Sequence, residues 1–382
     1  MPLGEFVTLQ RGHDLPDERR RPGHVPILGS FGITGWHEEA KAPGQGVTVG
    51  RSGASFGVVS YSAVAYWPLN TALYVIDFHG NDERFAYYLL KQFDFSGYNS
   101  GSAQPSLNRN YIHPVPVDVP PLSEQRAIAY ILGTLDDKIE LNRRMNETLE
   151  AMARALVKSW FVDFDPVRAK AEGRDPGMPK PLADLFPDSF EDSELGEIPK
   201  GWKVRKLGDL MELAYGKALK AEDRKDGTVP VYGSNGQVGW HDEPLVAGPG
   251  IVVGRKGNPG VVTWAPTDFF AIDTTFYVVP TLNCHSLYFL LHALAIHDLA
   301  SLGTDSAVPG LNRNMAYMST QVLPPRPLLD KFDSYASPIA SRVSETNEES
   351  RTLAALRDTL LPKLISGELR IQDAERFIRG GD

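Results

Sequence analysis

One polar tetrapeptide, Leu-Asn-Arg-Asn, occurs twice in the chain, at residues 107–110 and 311–314. Asn and Arg side chains can bind the edges of nucleic-acid bases through paired hydrogen bonds, or they can hold phosphate oxygens. The alternative is structural, because Asn side chains also fix turns by bonding to the backbone. Since the two copies are identical, we expect them to build the scaffold or contact phosphate rather than distinguish one base sequence from another.

A second shared feature is the dipeptide Gly-Arg, at residues 50–51 and 254–255. Phosphate contact and an internal salt bridge are both open for its arginine. Trp36 and Trp240 are each followed by His, and we expect both to be core or loop anchors.

Positions at which the two copies differ are better candidates for reading bases, although any of them can be an ordinary solvated loop residue. Arg-Gly-His at residues 11–13, for example, stands against Tyr-Gly-Lys at residues 215–217. Combining the shared and the differing positions, the candidate nucleic-acid contacts are Arg11, His13, Arg51, Ser52, Gln104, Asn108, Arg109, Lys217, Arg255, Lys256, Asn258, Asn312 and Arg313.

The sequence shows few motifs that are typical of enzymes. The sequence contains no phosphate-binding GxxxxGK[ST] loop, no GxGxxG dinucleotide motif and no histidine pair with metal-ligand spacing. It also lacks the Asp/Asn-Pro-Pro-aromatic tetrapeptide of amino-methyltransferases. Asp17, Glu39 and Lys41 spell a loose PD…ExK nuclease pattern, but the second copy has no matching lysine. We therefore predict no catalytic and no metal-binding residue, and keep a nuclease built on these three residues as an alternative.

An internal repeat organises these residues. The segment Val-Pro-Ile-Leu-Gly-Ser at 25–30 returns as Val-Pro-Val-Tyr-Gly-Ser at 229–234, an offset of 204 residues. The tetrapeptides and the Gly-Arg pairs keep the same offset. The chain is therefore predicted to be two copies of one unit, each a module of strands and short helices followed by a long helix.

Each long helix carries a heptad pattern. In the first, predicted over 124–161 with Ser123 as N-cap, Ile128, Leu135, Asn142, Leu149 and Leu156 are spaced seven apart. The second is predicted over roughly 328–366, with Pro338 able to kink it, Pro362 disturbing its last turn and Gly367 as its stop. We expect the two helices to pack antiparallel, with Asn142 buried between them.

Composition sets broader limits. The chain has 382 residues, 42% of them hydrophobic, a formal net charge of −9 and one cysteine, Cys284. A disulfide and a cysteine-rich zinc site are excluded, no membrane span or signal peptide is expected, and the predicted location is cytoplasmic. Residues 162–200 are rich in proline and acidic residues, which predicts an extended connection partly ordered by docking on its neighbours.

With these features, the chain resembles the specificity (S) subunit of type I restriction–modification systems over essentially its whole length. The most specific marks are Pro-Pro-Leu-Ser-Glu-Gln at 120–125, Ile-Pro-Lys-Gly-Trp at 198–202 and Leu-Arg-Asp-Thr-Leu-Leu-Pro-Lys-Leu-Ile-Ser-Gly-Glu-Leu at 356–369. The sequence departs from the family in Pro338 and in the lack of a lead-in strand before the first module.

The resemblance implies an α+β protein with two target-recognition domains in tandem repeat, separated by two long antiparallel, coiled-coil-like helices. It implies a non-catalytic chain that recognises a bipartite site in double-stranded DNA and recruits methyltransferase (M) and restriction (R) subunits. The whole would form a restriction enzyme and adenine DNA methyltransferase complex. No cofactor is expected in this chain, whereas S-adenosylmethionine, ATP and Mg are expected on the partner subunits.

The resulting domain prediction has six parts. They are target-recognition domain 1 (1–120), the first spacer helix (121–165), a linker (166–200), target-recognition domain 2 (201–325), the second spacer helix (326–372) and a C-terminal tail (373–382). A standalone repeat scaffold that binds protein or glycan partners remains the alternative function. We further expect the paired helices to set the distance between the two half-sites.

Overall fold

The structure, a computed structural model, describes residues 1–100, 105–304 and 310–371. The chain divides into two compact units, the first made of Met1–Leu141 and Glu349–Asp382 and the second of Asn142–Glu348. Each unit therefore contains one globular module and a part of each long helix.

Most elements of the first half of the chain recur in the second. The first half contains α1 (Leu3–Phe6), β1 (Thr8–Arg11), β2 (Val25–Gly29), β3 (Gly32–His37), β4 (Gly46–Gly50), β5 (Val59–Ser62), β6 (Trp67–Pro68), β7 (Ala72–Asp77), α2 (Glu83–Gln92), α3 (Arg109–Ile112) and α4 (Leu122–Val157). The second half contains α5 (Asp165–Ala171), α6 (Lys180–Ala183), β8 (Phe190–Ser193), β9 (Gly196–Pro199), β10 (Lys203–Lys206), α7 (Leu207–Leu210), β11 (Met211–Tyr215), β12 (Val229–Gly233), β13 (Gly236–His241), β14 (Gly250–Gly254), β15 (Val262–Ala265), β16 (Phe270–Ala271), β17 (Thr275–Pro280), α8 (Leu287–Ile296), β18 (Gly303–Thr304), β19 (Gly310–Leu311), α9 (Arg313–Met318), β20 (Thr320–Leu323) and α10 (Arg326–Ile365). The fold is α+β, as predicted.

The two modules share one sheet topology. The first has a four-stranded sheet in the order β1-β7-β4-β5 and a three-stranded sheet in the order β3-β2-β6. The second repeats both, as β11-β17-β14-β15 and β13-β12-β16. In each three-stranded sheet one hairpin is joined by a parallel pair, β2 with β6 and β12 with β16. The common topology confirms the internal repeat.

The repeated Gly-Arg dipeptide has a steric cause. A Cβ atom on Gly50 would lie 2.0 Å from the carbonyl oxygen of Ser55, and one on Gly254 would lie 2.1 Å from that of Asn258. Only glycine allows this approach of two backbone segments. The arginine that follows is thereby placed at the same point of each module.

Helix α4 begins at Leu122 and continues to Val157, followed by a π-helical turn at Lys158–Val162. The expected N-cap at Ser123 is wrong, because that residue already lies inside the first turn. The one glycine of the helix, Gly133, leaves room for Arg84 of α2, whose guanidinium donates to the Gly133 carbonyl at 3.0 Å and to Asp137 at 2.6 and 2.9 Å.

Helix α10 runs without interruption through Pro338 and Pro362 to Ile365. The kink expected at Pro338 therefore does not break the helix. Gly367 follows with φ +73° and its N–H donates to the Leu364 carbonyl at 3.3 Å, so it acts as the predicted C-terminal stop.

In the first unit, the two long helices pack antiparallel. Asp136 of α4 binds Arg357 of α10 at 2.6 Å, and Lys138 binds Glu349 at 3.4 Å. A residue further along α4 thus contacts a residue nearer the start of α10, as antiparallel helices require. Apolar side chains from both helices join the core of the module, namely Ile128, Ile131, Leu132, Leu135, Leu360, Leu361 and Leu364. Burial contributes about 1.5–3 kcal/mol for each of these side chains, so it stabilises the two helices more than their ion pairs do.

In the second unit the helices are also antiparallel. At one end the ring of Phe332 packs against Trp160 and Phe161, with centroids 6.2 and 5.0 Å away. At the other end Asn142 is fully buried and donates to the Thr346 carbonyl at 3.4 Å. The predicted burial of Asn142 between the helices is confirmed, and such a polar layer favours one register.

Residues 162–200 are more regular than expected. They form α5, α6 and the β8–β9 hairpin, whose register pairs Phe190 with Pro199. Val167, Leu182, Phe186 and Ile198 are buried in the core of the second unit. The extended conformation predicted for this segment is wrong, whereas its predicted docking on a neighbour is confirmed, because its apolar side chains pack onto the module.

The lead-in strand of the second module is β10, which pairs with β20 and ends with Lys206 opposite Thr320. In the first module, Pro2 forms the corresponding bridge with Pro116. Backbone bonds of 2.8 and 3.0 Å between Met1 and Val117 extend it. The first module thus has a bridge that corresponds to the Lys206–Thr320 pair of the second.

Candidate nucleic-acid interface

A cavity of about 760 Å³ lies at the end of β1 in the first module. Five of the predicted contacts line it: Arg11, His13, Arg51, Asn108 and Arg109. Because they come from three separate segments of the chain, only the fold brings them together. Ser52 lies beside them, in a backbone bridge with Ser106 of the cavity wall. Gln104 lies outside the described residues.

The Leu-Asn-Arg-Asn segments hold the framework of each module. The Asn108 side chain accepts from the backbone N–H of Asn110 at 3.0 Å, and Asn312 accepts from that of Asn314 at 3.0 Å, so each caps a short helix. The two asparagines therefore fix the local backbone, as the structural alternative predicts. Their contact with a ligand stays a prediction.

The arginines of the two tetrapeptides also have matching partners. Arg109 Nη1 donates to the Leu9 carbonyl at 3.1 Å, and Arg313 Nη1 donates to the Leu213 carbonyl at 3.3 Å. Each bond ties the tetrapeptide to the first strand of its four-stranded sheet. A guanidinium has five N–H donors, so one such bond leaves others for a ligand.

The Gly-Arg arginines bind backbone carbonyls as well. Arg51 Nη1 donates to Asn70 at 3.1 Å, and Arg255 donates to Asp273 through Nε at 3.1 Å and Nη2 at 2.5 Å. The internal salt bridge considered for these arginines is not formed by either of them within the part of the chain that the structure describes. Their predicted contact with phosphate remains open.

In the first module, the residues that differ from the second are held by polar partners. His13 Nε2 lies 3.3 Å from the hydroxyl of Tyr74, and Arg11 lies 3.6 Å from the Asp14 carboxylate. The Asn70 side chain also donates to Asp14. Asp14 is thus engaged on two sides at the rim of the cavity.

In the second module the candidate side chains are exposed. Lys217, Lys256 and Asn258 all have exposed side chains. The backbone of Lys217 bridges Ile272, and that of Lys256 bridges Gly310. These residues can therefore reach a large ligand without any change in the fold.

Tyr215 belongs to a segment that differs between the two copies, but it was not among the predicted contacts. Its ring centroid lies 5.3 Å from the guanidinium carbon of Arg255 and 4.9 Å from that of Arg313. It precedes Lys217 by two residues and stands opposite Arg11 in the repeat. The signal was its position at the end of a strand, directly before a glycine that both copies share, but a lone tyrosine has many roles.

Two tryptophans are placed differently from the prediction. Trp36 is 54% exposed and Trp240 is 45% exposed, on the outer strand of each β-hairpin. A role as core anchors is therefore wrong, and a role as loop anchors stays a prediction. Their neighbours His37 and His241 are the buried members, and each accepts a backbone N–H, from Arg21 at 3.0 Å and from Lys225 at 3.2 Å.

A histidine of the first module accepts a backbone N–H from the first strand. His113 Nε2 accepts the backbone N–H of Leu9 at 3.1 Å, and burial together with the charge of Arg109 lowers the pKa of this imidazole. In the second module the hydroxyl of Tyr317 accepts the matching N–H, from Leu213 at 2.8 Å. Both side chains satisfy a strand N–H beside the tetrapeptide arginine.

The residues of the nuclease pattern engage near neighbours. Asp17 pairs with Arg20 at 3.0 Å and Glu39 with Lys41 at 2.5 Å. Over residues 1–100, 105–304 and 310–371, no group of three or more His, Cys, Asp or Glu side chains is placed to hold a metal ion. Over the same ranges, no helix has the length and apolar character needed to cross a bilayer.

Comparison with known proteins gives a consistent family. A family model described as "Type I restriction modification DNA specificity domain" matches residues 1–151 and 199–314. The Type I restriction enzyme MjaIX specificity subunit of Methanocaldococcus jannaschii is 26% identical over 352 residues, which cover 82% of this chain and 76% of that protein. The Type I restriction enzyme HindI specificity subunit of Haemophilus influenzae is 26% identical over 335 residues, covering 69% and 71% respectively.

A solved structure supports the fold. The crystal structure of the S subunit of a type I restriction-modification system from M. genitalium aligns with a TM-score of 0.65 and covers 95% of each chain. The sequence identity is 18%, so this likeness concerns the fold alone.

Proposed function

The chain belongs to the family of type I restriction-modification DNA specificity domains, and from this premise we propose that it recognises a bipartite site in double-stranded DNA. Each module reads one half-site. The chain carries this recognition to methyltransferase and restriction subunits, which perform the chemistry.

The observation that carries the proposal is one framework, built twice, that presents different side chains. The capping asparagines and the arginine–carbonyl bonds are the same in both modules. Beside them, His13 in the first module is matched by Lys217 in the second. Matching scaffolds with different side chains at the same position are what two readers of different base sequences need, because phosphate contacts position a protein and side chains at base edges specify the sequence.

The partners would supply what this chain does not. S-adenosylmethionine, ATP and Mg are proposed to bind the methyltransferase and restriction subunits. The chain itself acts by binding, and no catalytic residue is assigned to it.

The long helices are proposed to fix the spacing of the two half-sites. Helix α4 continues without a break from the first unit into the second, and α10 does the same in the opposite direction along the chain. A flexible linker could keep two readers together but could not set the number of base pairs between their half-sites.

A binding experiment tests the proposal. The purified full-length chain, with and without its methyltransferase subunits, is mixed with random-sequence duplex DNA and analysed by gel shift over a range of salt. We expect binding that weakens steeply as salt rises, because phosphate contacts release counterions. Absence of binding in both forms would favour the standalone scaffold for protein or glycan partners. Cleavage of the DNA by the chain alone with Mg²⁺ would instead favour the nuclease alternative.

A further inference from the structure

The two modules differ at the last residue of the first strand in the four-stranded sheet. Matching backbone bonds establish the correspondence, since Gly12 donates to the Ala72 carbonyl at 3.0 Å and Gly216 donates to that of Thr275 at 3.1 Å. The residue before the glycine is Arg11 in the first module and Tyr215 in the second. An arginine and a tyrosine thus occupy equivalent positions.

In the second module, aromatic rings cover the two shared arginines. The Tyr215 ring lies near the guanidinium groups of both Arg255 and Arg313, and the ring of Phe276, its partner across the strands, is 5.0 Å from it. Phe276 also lies 5.8 Å from the guanidinium carbon of Arg255. The face of an aromatic ring attracts a cation, so the positive charge is already engaged within the protein.

In the first module, none of the described residues that line the cavity places a ring over the corresponding arginines. Arg11 takes the place of the tyrosine, and its partner across the strands is Leu73 in place of a phenylalanine. Both changes remove a ring, and the first adds a third guanidinium. The cavity of about 760 Å³ lies at this place in the first module.

The charge around this cavity is positive. Its described lining holds the guanidiniums of Arg11, Arg51 and Arg109 against one carboxylate, that of Asp14. Two of these arginines are fixed by bonds to backbone carbonyls, so their remaining donors are held in place before a ligand arrives. A preorganised fork of donors suits phosphate oxygens, and little side-chain ordering is needed on binding.

The shared arginines cannot distinguish the two half-sites, because both modules carry them. What every half-site has in common is its sugar–phosphate backbone. We propose that the cavity of the first module holds a phosphodiester group of bound DNA between Arg11, Arg51 and Arg109, and that the second module, with Tyr215 over its arginines, makes no equivalent contact. The proposal rests on the DNA-binding function proposed above and names an anchoring site within it.

The test replaces Arg11 by the residue that the second module carries. Binding of random-sequence duplex DNA to full-length Arg11→Tyr is measured over roughly 50–200 mM salt, in the form of the protein that binds in the gel shift. If one phosphate contact is lost, the slope of log K against log salt should become shallower by about 0.9, and affinity should fall similarly for all sequences. Arg11→Lys keeps the charge and should keep the slope.

Arg205→Tyr provides the matched control, because it removes the same charge from the exposed strand β10 of the second module. It should leave the slope unchanged. Equal slopes in Arg11→Tyr and wild type, or the same loss in Arg205→Tyr as in Arg11→Tyr, would overturn the phosphate site while the proposed function stands. Failure of the wild-type protein to bind DNA would overturn the function itself. Thermal unfolding of each variant verifies its fold. If Arg11→Tyr is unfolded, Arg11→Lys decides: a shallower slope in this variant, which keeps the positive charge, would overturn the phosphate site.

Discussion

Asp136 links the first module to both long helices, and its replacement by Ala should destabilise the first unit. Its carboxylate accepts from Arg357 of α10 at 2.6 Å and from the hydroxyl of Tyr88 of α2 at 2.6 Å. The side chains of Asp136 and Arg357 are only 20% and 17% exposed, so water cannot fully replace the lost bonds. Hydrogen bonds to a charged group contribute about 1.5–3 kcal/mol each. We therefore expect Asp136→Ala to lower the free energy of unfolding by about 3 kcal/mol, the lower end of this range for two bonds.

The protonation states support this magnitude near neutral pH. Burial raises the pKa of the Tyr88 hydroxyl and the nearby charge of Asp136 raises it further, so the hydroxyl keeps its proton. Burial opposes the charge of Arg357, but its hydrogen bonds to Asp136 and Asp358 outweigh this and raise the pKa of the guanidinium. The donor groups are therefore constant over the ordinary pH range.

The assay is scanning calorimetry of the full-length chain, in which the two units can unfold in separate transitions. Asp136→Ala, Arg357→Met and the double variant form a cycle, for which we expect a coupling of about 1–2 kcal/mol. The matched control is Arg342→Met, whose ion pair with Glu345 at 3.3 Å is exposed and should contribute less than about 1 kcal/mol. The reasoning is refuted if Asp136→Ala costs no more than the control or if the two single effects simply add.

Three other changes have defined outcomes. Gly50→Ala should destabilise the first unit by about 3 kcal/mol or more, since its Cβ would meet a carbonyl oxygen at 2.0 Å, whereas Gly97→Ala, with open space around it, should melt near wild type. The pKa of His113 is lowered in the folded state, so the neutral imidazole stabilises the fold at pH values above the unfolded pKa of about 6.5. This stability is lost as the pH falls through the folded pKa. His113→Tyr should therefore flatten the loss of thermal stability between roughly pH 7 and 5, and an unchanged profile would show that this histidine is not the cause. Insertion of seven residues near both Asn142 and Thr346 lengthens the helices by about 11 Å and should widen the gap between half-sites by roughly three base pairs. It also turns one module about the duplex by about 100°, so weaker binding is expected. Unchanged gaps in the modified sites, or changed half-sites, would contradict the role of the helices in spacing.

Local patterns allowed much of the fold to be predicted. The repeat of Gly-Arg and Leu-Asn-Arg-Asn located two equivalent modules, and the heptad spacing placed Asn142 between the helices, where the structure has it. These features depend on period and sequence identity, which are visible in one chain. Gly367 was likewise identifiable, because a glycine after a long apolar repeat commonly ends a helix.

Other features depend on tertiary contacts that no local pattern reports. Trp36 is exposed because the buried aromatic position of its hairpin belongs to the neighbouring His37. The proline-rich segment folds because Phe186 and Ile198 find a partner surface on the second module. Pro338 stays helical within α10, which overrides its local tendency to interrupt a helix.

The candidate site was predicted in part. The five predicted contacts that line the cavity come from three segments, and the sequence gives no distances between these segments. The cation–ring contacts of Tyr215 could not be foreseen, since they require the distances to Arg255 and Arg313. The roles of all these residues toward DNA remain predictions.

The most direct test of the central claim is to map methylated bases across the genome of cells that contain this chain and its methyltransferase subunits, and again after the loop residues of one module are exchanged. Two readers on one framework predict a single motif of two half-sites with a fixed gap, and an exchange in the first module that changes one half-site while the gap and the other half-site stay the same. A motif without a gap, or an exchange in one module that alters both half-sites, would contradict it.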